Sequence, residues 1–163
     1  MLIRPLCETD DRLAVSRVYE ISWKYAYRGI VPQSYLDSIP SGRWANRIDQ
    51  LGFHNLVLLE DGLLIGTAAY CGARTEEFAG YGELVSLYLL PEYIGKGYGR
   101  SLLNASLQGL AAIGFRDVYL WVLERNRHAR RFYEEFGFTN AGIYLDSEIS
   151  GKSLCEIQYR YHI

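Results

Sequence analysis

The stretch from Glu83 to Ile113 constrains this chain more than any other. Glu83 to Leu90 is nearly all apolar after its first residue and stops at Pro91, the pattern of a central strand covered on both faces. Gly97 to Ile113 carries Leu102, Leu103, Leu107, Leu110 and Ala111 at helical spacing, so one side of that helix packs on a sheet. Between them runs Pro91-Glu92-Tyr93-Ile94-Gly95-Lys96-Gly97-Tyr98-Gly99-Arg100. Asp117 to Leu123 is the next strand, which completes a strand, helix, strand unit.

The remaining segments follow at the short loop lengths of one domain. Leu2 to Leu6 reads as a strand. Thr9 caps a helix that holds Asp10 and Asp11 at its positive end and runs to about Tyr25. Ala26 to Ser41 contains Gly29, Pro32 and Pro40, which predicts a loop with a short helical piece from Ser34 to Ser38; Gly42 to Leu51 is a candidate for another helix. Leu56 to Glu60 and Leu63 to Cys71 are joined by Asp61-Gly62, the dipeptide suited to a tight hairpin. Arg127 to Phe136 is a helix ended by Gly137, and Phe138 to Tyr144 and Leu154 to Tyr161 are closing strands. The expectation is an α/β (α+β) fold, one domain over residues 1–163, with a mixed, mostly antiparallel sheet of about six to seven strands and about four helices.

Alternate glycines in the loop let backbone N–H groups converge on an anion, and the helix start behind them adds a favourable dipole. A pyrophosphate is the natural occupant, with Lys96 and Arg100 as countercharges; the bland alternative is a tight strand-to-helix turn. Gly95, Gly97 and Gly99 give G-x-G-x-G, not the G-x-G-x-x-G of dinucleotide folds. Gly151-Lys152-Ser153 resembles the tail of a Walker loop, but Asp146 stands where its first glycine belongs, so a hairpin turn is the reading.

Composition removes several classes of function. With 163 residues, 49% hydrophobic and 22% charged, the chain has the material for one core and too little charge density for disorder. A formal net charge of −2 gives nucleic acid or an anionic membrane no overall attraction. Cys7, Cys71 and Cys155 are odd in number and far apart, and with His54, His128 and His162 they show no ligand spacing; neither a disulfide framework nor a metal site is expected. No charged leader precedes a long apolar run, so a cytoplasmic, non-membrane protein is expected.

Two ordered motifs resemble the GNAT superfamily of acetyl-CoA-dependent N-acetyltransferases over nearly the whole chain. Its Q/R-x-x-G-x-G/A signature is matched by Ile94, Gly97 and Gly99, with Ile94 replacing the usual Gln or Arg. Its N-x-x-A-x-x-F-Y segment and following G-F pair are present as Asn126, Ala129, Phe132, Tyr133, Gly137 and Phe138. Asn126, Ala129 and Tyr133 share a helix face; a cap, a small packing residue and a core tyrosine are the plainer readings of the same letters. The resemblance implies acetyl-CoA as co-substrate, with its pantetheine along the backbone of Leu87, Tyr88 and Leu89. Its diphosphate would sit over Ile94 to Ser101, and Asn126, Ala129 and Tyr133 would lie alongside. It implies a Leu87 amide that polarises the thioester carbonyl, Glu83 as general base eleven residues before Ile94, and Tyr133 as general acid. The cluster Arg125, Arg127, His128, Arg130 and Arg131 is either a solvated helix face or a partner for the 3′-phosphate.

The same resemblance places the acceptor pocket between the first helices, their loop and the last hairpin. Trp23, Tyr27, Arg28 and Tyr144 are the candidate lining residues, with Tyr25, Tyr35, Trp44 and Asp146 nearby. Glu76, Glu77, Asp146 and Glu148 are available to attract a cationic amine. The expected reaction is acetyl transfer to a primary amine of a small molecule or protein. The alternatives left open are an inactive acyl-CoA-binding sensor or interaction module, and a homodimer paired through strand edges or apolar helix faces.

Overall fold

Asp61 and Gly62 have φ of +50° and +80°, the left-handed turn their side chains allow at least cost, and they join His54–Glu60 to Leu63–Gly72 as a hairpin. Around it the computed structural model describes residues Met1–Ile163. The elements are β1 (Leu2–Pro5), α1 (Arg12–Ala26), α2 (Gln33–Ser38), β2 (His54–Glu60), β3 (Leu63–Gly72), β4 (Gly82–Leu89), α3 (Tyr98–Ala112), β5 (Asp117–Leu123), α4 (Arg127–Phe136), β6 (Thr139–Ile149) and β7 (Lys152–His162). Short 3-10 turns lie at Ala45–Arg47, Glu76–Phe78 and Pro91–Tyr93.

The seven strands form one sheet in the order β1-β2-β3-β4-β5-β7-β6. Every neighbouring pair is antiparallel except β4 and β5, which are parallel because α3 carries the chain back between them. On one face Leu102, Leu103, Leu107 and Leu110 of α3 and Tyr133 of α4 pack on Leu84, Val118, Leu120, Ile157 and Tyr159. On the other, Leu123 and Leu154 meet Ile30, Val31, Leu36 and Ile39 around α2, and Val57 meets Val15 and Tyr19 of α1. No helix is long and apolar enough to cross a membrane.

Three local expectations change. The cap of α1 is Asp11, whose carboxylate accepts from the Leu13 amide at 2.8 Å, while Asp10 is held by two 2.7 Å hydrogen bonds from Arg4. Thr9 is therefore outside the helix. Gly42 to Leu51 forms only the Ala45–Arg47 turn, because α1 side chains take its amides: Gly42 N–H donates to Glu20 at 2.8 Å and Trp44 N–H to Ser16 Oγ at 3.0 Å. The closing strands run longer than expected and meet at a Ser150-Gly151 turn with φ of +51° and +77°.

Leu110 is fully buried, and its Cδ2 lies where a side chain at Gly82 would begin, so it fixes the spacing of α3 from β4. Leu110→Ala is expected to lower unfolding free energy by about 2–5 kcal/mol, read from urea titration with an unchanged slope.

Candidate active site

β4 and β5 pair at only two positions, Gly82 with Val118 and Glu83 with Tyr119, and then diverge. On its other side β4 stays paired with β3 as far as Leu89, with a bulge that leaves Val85 unmatched. Leu90 N–H donates to Ile65 at 2.8 Å, so strand alternation turns the Leu87 and Leu89 backbone groups away from β3 and into the gap. The Leu89 carbonyl accepts from Ser22 Oγ of α1 at 2.8 Å. The Leu87 N–H and C=O and the Leu89 N–H accept and donate to nothing in the chain.

The gap opens onto the glycine loop. Gly95 and Gly97 have φ of +79° and +89°, and a side chain at either would meet no neighbouring atom. Gly97 is the residue before α3 and offers no side-chain cap, and the first bond of the helix is Ser101 N–H to Gly97 O at 3.2 Å. The amides of Gly95, Lys96, Gly97, Tyr98, Gly99 and Arg100 consequently donate to no oxygen of the protein. This is an anion-binding nest backed by a 15-residue helix. Lys96 and Arg100 are exposed beside it, over the rings of Tyr93 and Phe136 at 5.5 and 5.1 Å. Ile94 closes the preceding 3-10 turn with an extended backbone. Ser101 turns its hydroxyl back to the Gly97 carbonyl.

Asn126 is the cap of α4, its Oδ1 accepting from the Ala129 amide at 3.2 Å, so the plainer reading of that residue holds and its Nδ2 stays free. Ala129 packs against the core edge. Tyr133 comes from α4 with 9% of its surface exposed, and its hydroxyl has no protein partner. Burial raises its phenol pKa well above the ordinary value, with a smaller push from Tyr27. Arg130 donates to Tyr159 and to the Glu124 carbonyl, both at 3.0 Å, and Arg131 pairs with Glu135, so the basic run is partly structural. Arg125, Arg127 and His128 are exposed.

Glu83 lies at the apex of the gap, 2% exposed. Arg74 grips both its oxygens, at 2.9 and 2.6 Å, and Tyr119 donates to Oε2 at 2.7 Å. Sequence reasoning missed both partners. Arg74 sits in a loop with no motif, and Tyr119 meets Glu83 only through the parallel register. On the same face Tyr19 and Ser86 hydroxyls are 2.9 Å apart and those of Tyr27 and Tyr88 3.3 Å apart. Trp23 stands edge-on to Tyr27 and tilted against Trp44, so the aromatics of α1 wall this side.

Two candidates do not join them. Arg28 is exposed and makes no side-chain hydrogen bond, and Tyr144, 57% exposed, lies opposite core residue Ile157 and so faces the α3–α4 side. Its neighbour Leu145, opposite Glu156, takes the acceptor side. Glu156, which the sequence did not mark, is partly buried with no hydrogen-bond partner; burial raises its pKa, Arg74 opposes and Glu83 reinforces. A groove of about 210 Å³ next to it is lined by Ile30, Leu123, Glu124, Asp146 and Leu154 among others.

A sheet opened between parallel strands thus leads to an anion-binding nest, with a phenol entering from one helix. Residues 15–138 match the Acetyltransferase (GNAT) family. An N-acetyltransferase of Mycobacterium tuberculosis, Rv2669, is 32% identical over 135 residues, 82% of this chain and 84% of its own. A spermidine N(1)-acetyltransferase of Thermoplasma acidophilum is 26% identical over 79% of this chain and 83% of its own. The crystal structure of the PaiA N-acetyltransferase of the same organism, in complex with coenzyme A, superposes with a TM-score of 0.73 at 25% identity, covering 99% of this chain and all of that one. The chain belongs to the GNAT family of N-acetyltransferases.

Arg74 neutralises a carboxylate that is only 3% exposed at its side chain, though the guanidinium itself is 51% exposed. Arg74→Ala is therefore expected to cost about 1–3 kcal/mol, less than the 3–5 of a fully buried pair, in denaturant unfolding at neutral pH. Arg74→Lys should recover part of that loss.

Proposed function

We propose that this protein transfers an acetyl group from acetyl-CoA to a primary amine in a ternary complex. The observation that carries the reading is the row of unpaired amides from Gly95 to Arg100 together with the unpaired Leu87 N–H and C=O and Leu89 N–H. Those groups fit the two ends of coenzyme A: a diphosphate needs converging N–H donors, and a pantetheine amide needs a strand edge. Lys96 and Arg100 add countercharge, and the Asn126 amide and small Ala129 border the same gap. The thioester supplies the activated acyl group. The coenzyme A complex of the PaiA structure supports the same assignment.

The chain's own groups then act on the reacting atoms. The Leu87 N–H polarises the thioester carbonyl as charge develops on its oxygen. Tyr133 holds its proton tightly, as its burial requires, and serves the departing thiolate as a hydrogen-bond donor; full transfer follows only as the sulfur becomes the stronger base. An alkyl ammonium with pKa near 10.4 is neutral only about once in 2,500 molecules at pH 7, a deficit of roughly 4–5 kcal/mol. Glu83 attracts the cation from the apex, and any proton reaches it only by way of water or another base, because Arg74 and Tyr119 already fill three of its acceptor sites.

The acceptor is a cationic amine, polyamines included. Glu124 and Asp146 line a groove that also carries Arg125, the aromatic wall of Trp23 and Tyr27 suits a methylene chain, and the spermidine acetyltransferase relative supports the class.

Free thiol release from acetyl-CoA, assayed against polyamines, aminoglycosides, amino acids and peptides, is expected to be fastest with a polyamine. A rise in melting temperature with acetyl-CoA and no thiol from any amine would assign the chain to the binding-module alternative. Tyr133→Phe is expected to lower kcat about tenfold to a hundredfold with acetyl-CoA affinity by calorimetry nearly unchanged; full turnover removes Tyr133 from the reaction. Gly97→Ala forces a side chain into a left-handed backbone and costs about 1–2 kcal/mol. It should weaken acetyl-CoA binding at least tenfold while leaving kcat at saturation within a few fold.

A further inference from the structure

Glu83 and Glu156 stand on one face of the sheet at different depths of the gap. Glu83 pairs in register with Tyr119, Tyr119 with Arg160 and Leu123 with Glu156, and residues directly opposite share a face. Leu123 lies four residues beyond Tyr119, about 13 Å of extended strand. Leu87 lies the same number of residues beyond Glu83, one of them the unmatched Val85. Glu156 thus lies within about one residue of the height of the Leu87 amide, on β7 just beyond the β5 side of the gap, whereas Glu83 sits about 10 Å deeper, too far for direct contact with an amine at the Leu87 level.

We infer that Glu156 is the first acceptor of the amine's proton, with Glu83 as the carboxylate held behind it. The inference rests on the acetyl-transfer reading and deepens it. Four observations carry it. Glu156 lies within about one residue of the height of the carbonyl-polarising amide. It accepts no hydrogen bond from any side chain, unlike Glu83 with its three. It lies within electrostatic reach of Tyr27, whose hydroxyl is 3.3 Å from that of Tyr88 on the opened strand. Gln158, two residues along β7 on the same face and fully buried, has an Nε2 donor without an acceptor, which offers a water its anchor beside the carboxylate.

The two carboxylates sit in different surroundings. Arg74 and Tyr119 occupy Glu83 with three hydrogen bonds. Glu156 is partly desolvated; Arg74 at the apex draws its pKa down, and Glu83 with burial draws it up, the balance being upward. Tyr27 faces it from the end of α1, Leu145 from β6 carries no charge, and the groove alongside is lined by the acidic Glu124 and Asp146 and the basic Arg125. A carboxylate so placed accepts a proton near neutral pH more readily than an exposed one.

The step balances as follows. The ammonium loses one proton to a Glu156 oxygen, and the freed lone pair forms the C–N bond as the C–S bond breaks and its electron pair stays on sulfur. The second nitrogen proton ends on that sulfur, through Tyr133 or water, giving amide and free thiol. Glu156 returns its proton to solvent.

Glu156→Gln, assayed with the amine that releases most thiol in the panel, is expected to lose about a hundredfold in kcat/KM for the amine at pH 7. Its acidic limb in the pH profile should vanish, and the gap to wild type should narrow toward pH 10, where the amine deprotonates itself. Acetyl-CoA affinity should stay within twofold. Glu156→Asp should retain an acidic limb at reduced rate. A second measurement needs no acceptor: a raised carboxyl pKa makes the folded state bind protons the unfolded state has lost, so wild-type stability falls with rising pH above the ordinary glutamate range until the raised value is passed. Glu156→Gln should lack that fall and be the more stable protein at pH 8. A variant with the wild-type profile and the same stability slope overturns the assignment. Wild-type protein that binds no acyl-CoA overturns acetyl transfer itself.

Discussion

The separation of β4 from β5 after two residue pairs governs the rest of the molecule. An interior strand that loses its neighbour exposes amides and carbonyls which must find other partners, or carry a cost comparable to lost hydrogen bonds. Here only one of those groups is satisfied from within, the Leu89 carbonyl by Ser22. The others lead toward the Gly95 to Arg100 amides past the hydrogen-bonded Pro91–Tyr93 turn, so two stretches of unpaired backbone, one in mid-sheet and one at the surface, flank that turn. A sheet that stayed closed would bury Tyr133 in side-chain packing and leave the nest with nothing to lead to. The opening is held by what closes its apex: Glu83, Arg74 and Tyr119 tie β3, β4 and β5 together just below the point of divergence.

That apex also shows why position in a strand does not settle a residue's chemistry. Glu83 has two oxygens and three hydrogen bonds, two of them from one bidentate guanidinium, which makes it a rigid joint. Glu156 has partial burial and no donor, which favours proton exchange. The difference arises from the loop after β3, which delivers Arg74 to one carboxylate and not the other. The phenol follows the same logic: an unpaired hydroxyl in a desolvated place holds its proton until a strong acceptor arrives.

Much of the fold was legible because its signals are local. Asp61-Gly62, Pro91, the 3.6-residue spacing of the Leu102 to Leu110 positions and the Gly137 stop each act within a few residues, and the structure puts β2, β3, β5, α3 and α4 where those signals lie. The glycine loop was legible for the same reason. Where a distant side chain takes over a local preference the reading failed, as when Ser16 and Glu20 hold the Gly42 to Trp44 amides and leave only a single turn there. The site divides the same way. Its backbone half follows from glycine positions, whereas Arg74, Tyr119 and Glu156 are joined through strand registers that no short window contains. Tyr144 went wrong by one position of a two-residue alternation, since a bulge between Asn140 and Tyr144 resets which side chains face the acceptor side.

The acceptor wall and the cofactor edge are mechanically one unit. Within one 15-residue helix, Tyr19 bonds Ser86, Ser22 bonds Leu89, and Trp23 packs on the Tyr27 ring whose hydroxyl reaches Tyr88. Each of these β4 residues lies between the apex and the glycine loop, so α1 grips the strand along the length that β5 has abandoned. The helix is itself fixed to the Gly42 to Trp44 loop through Ser16 and Glu20. A change in that loop therefore reaches the strand edge through packed aromatics and short hydrogen bonds. Residues that never touch a substrate thus set the width of the gap, and with it the distance from the Leu87 amide to the Glu156 carboxylate.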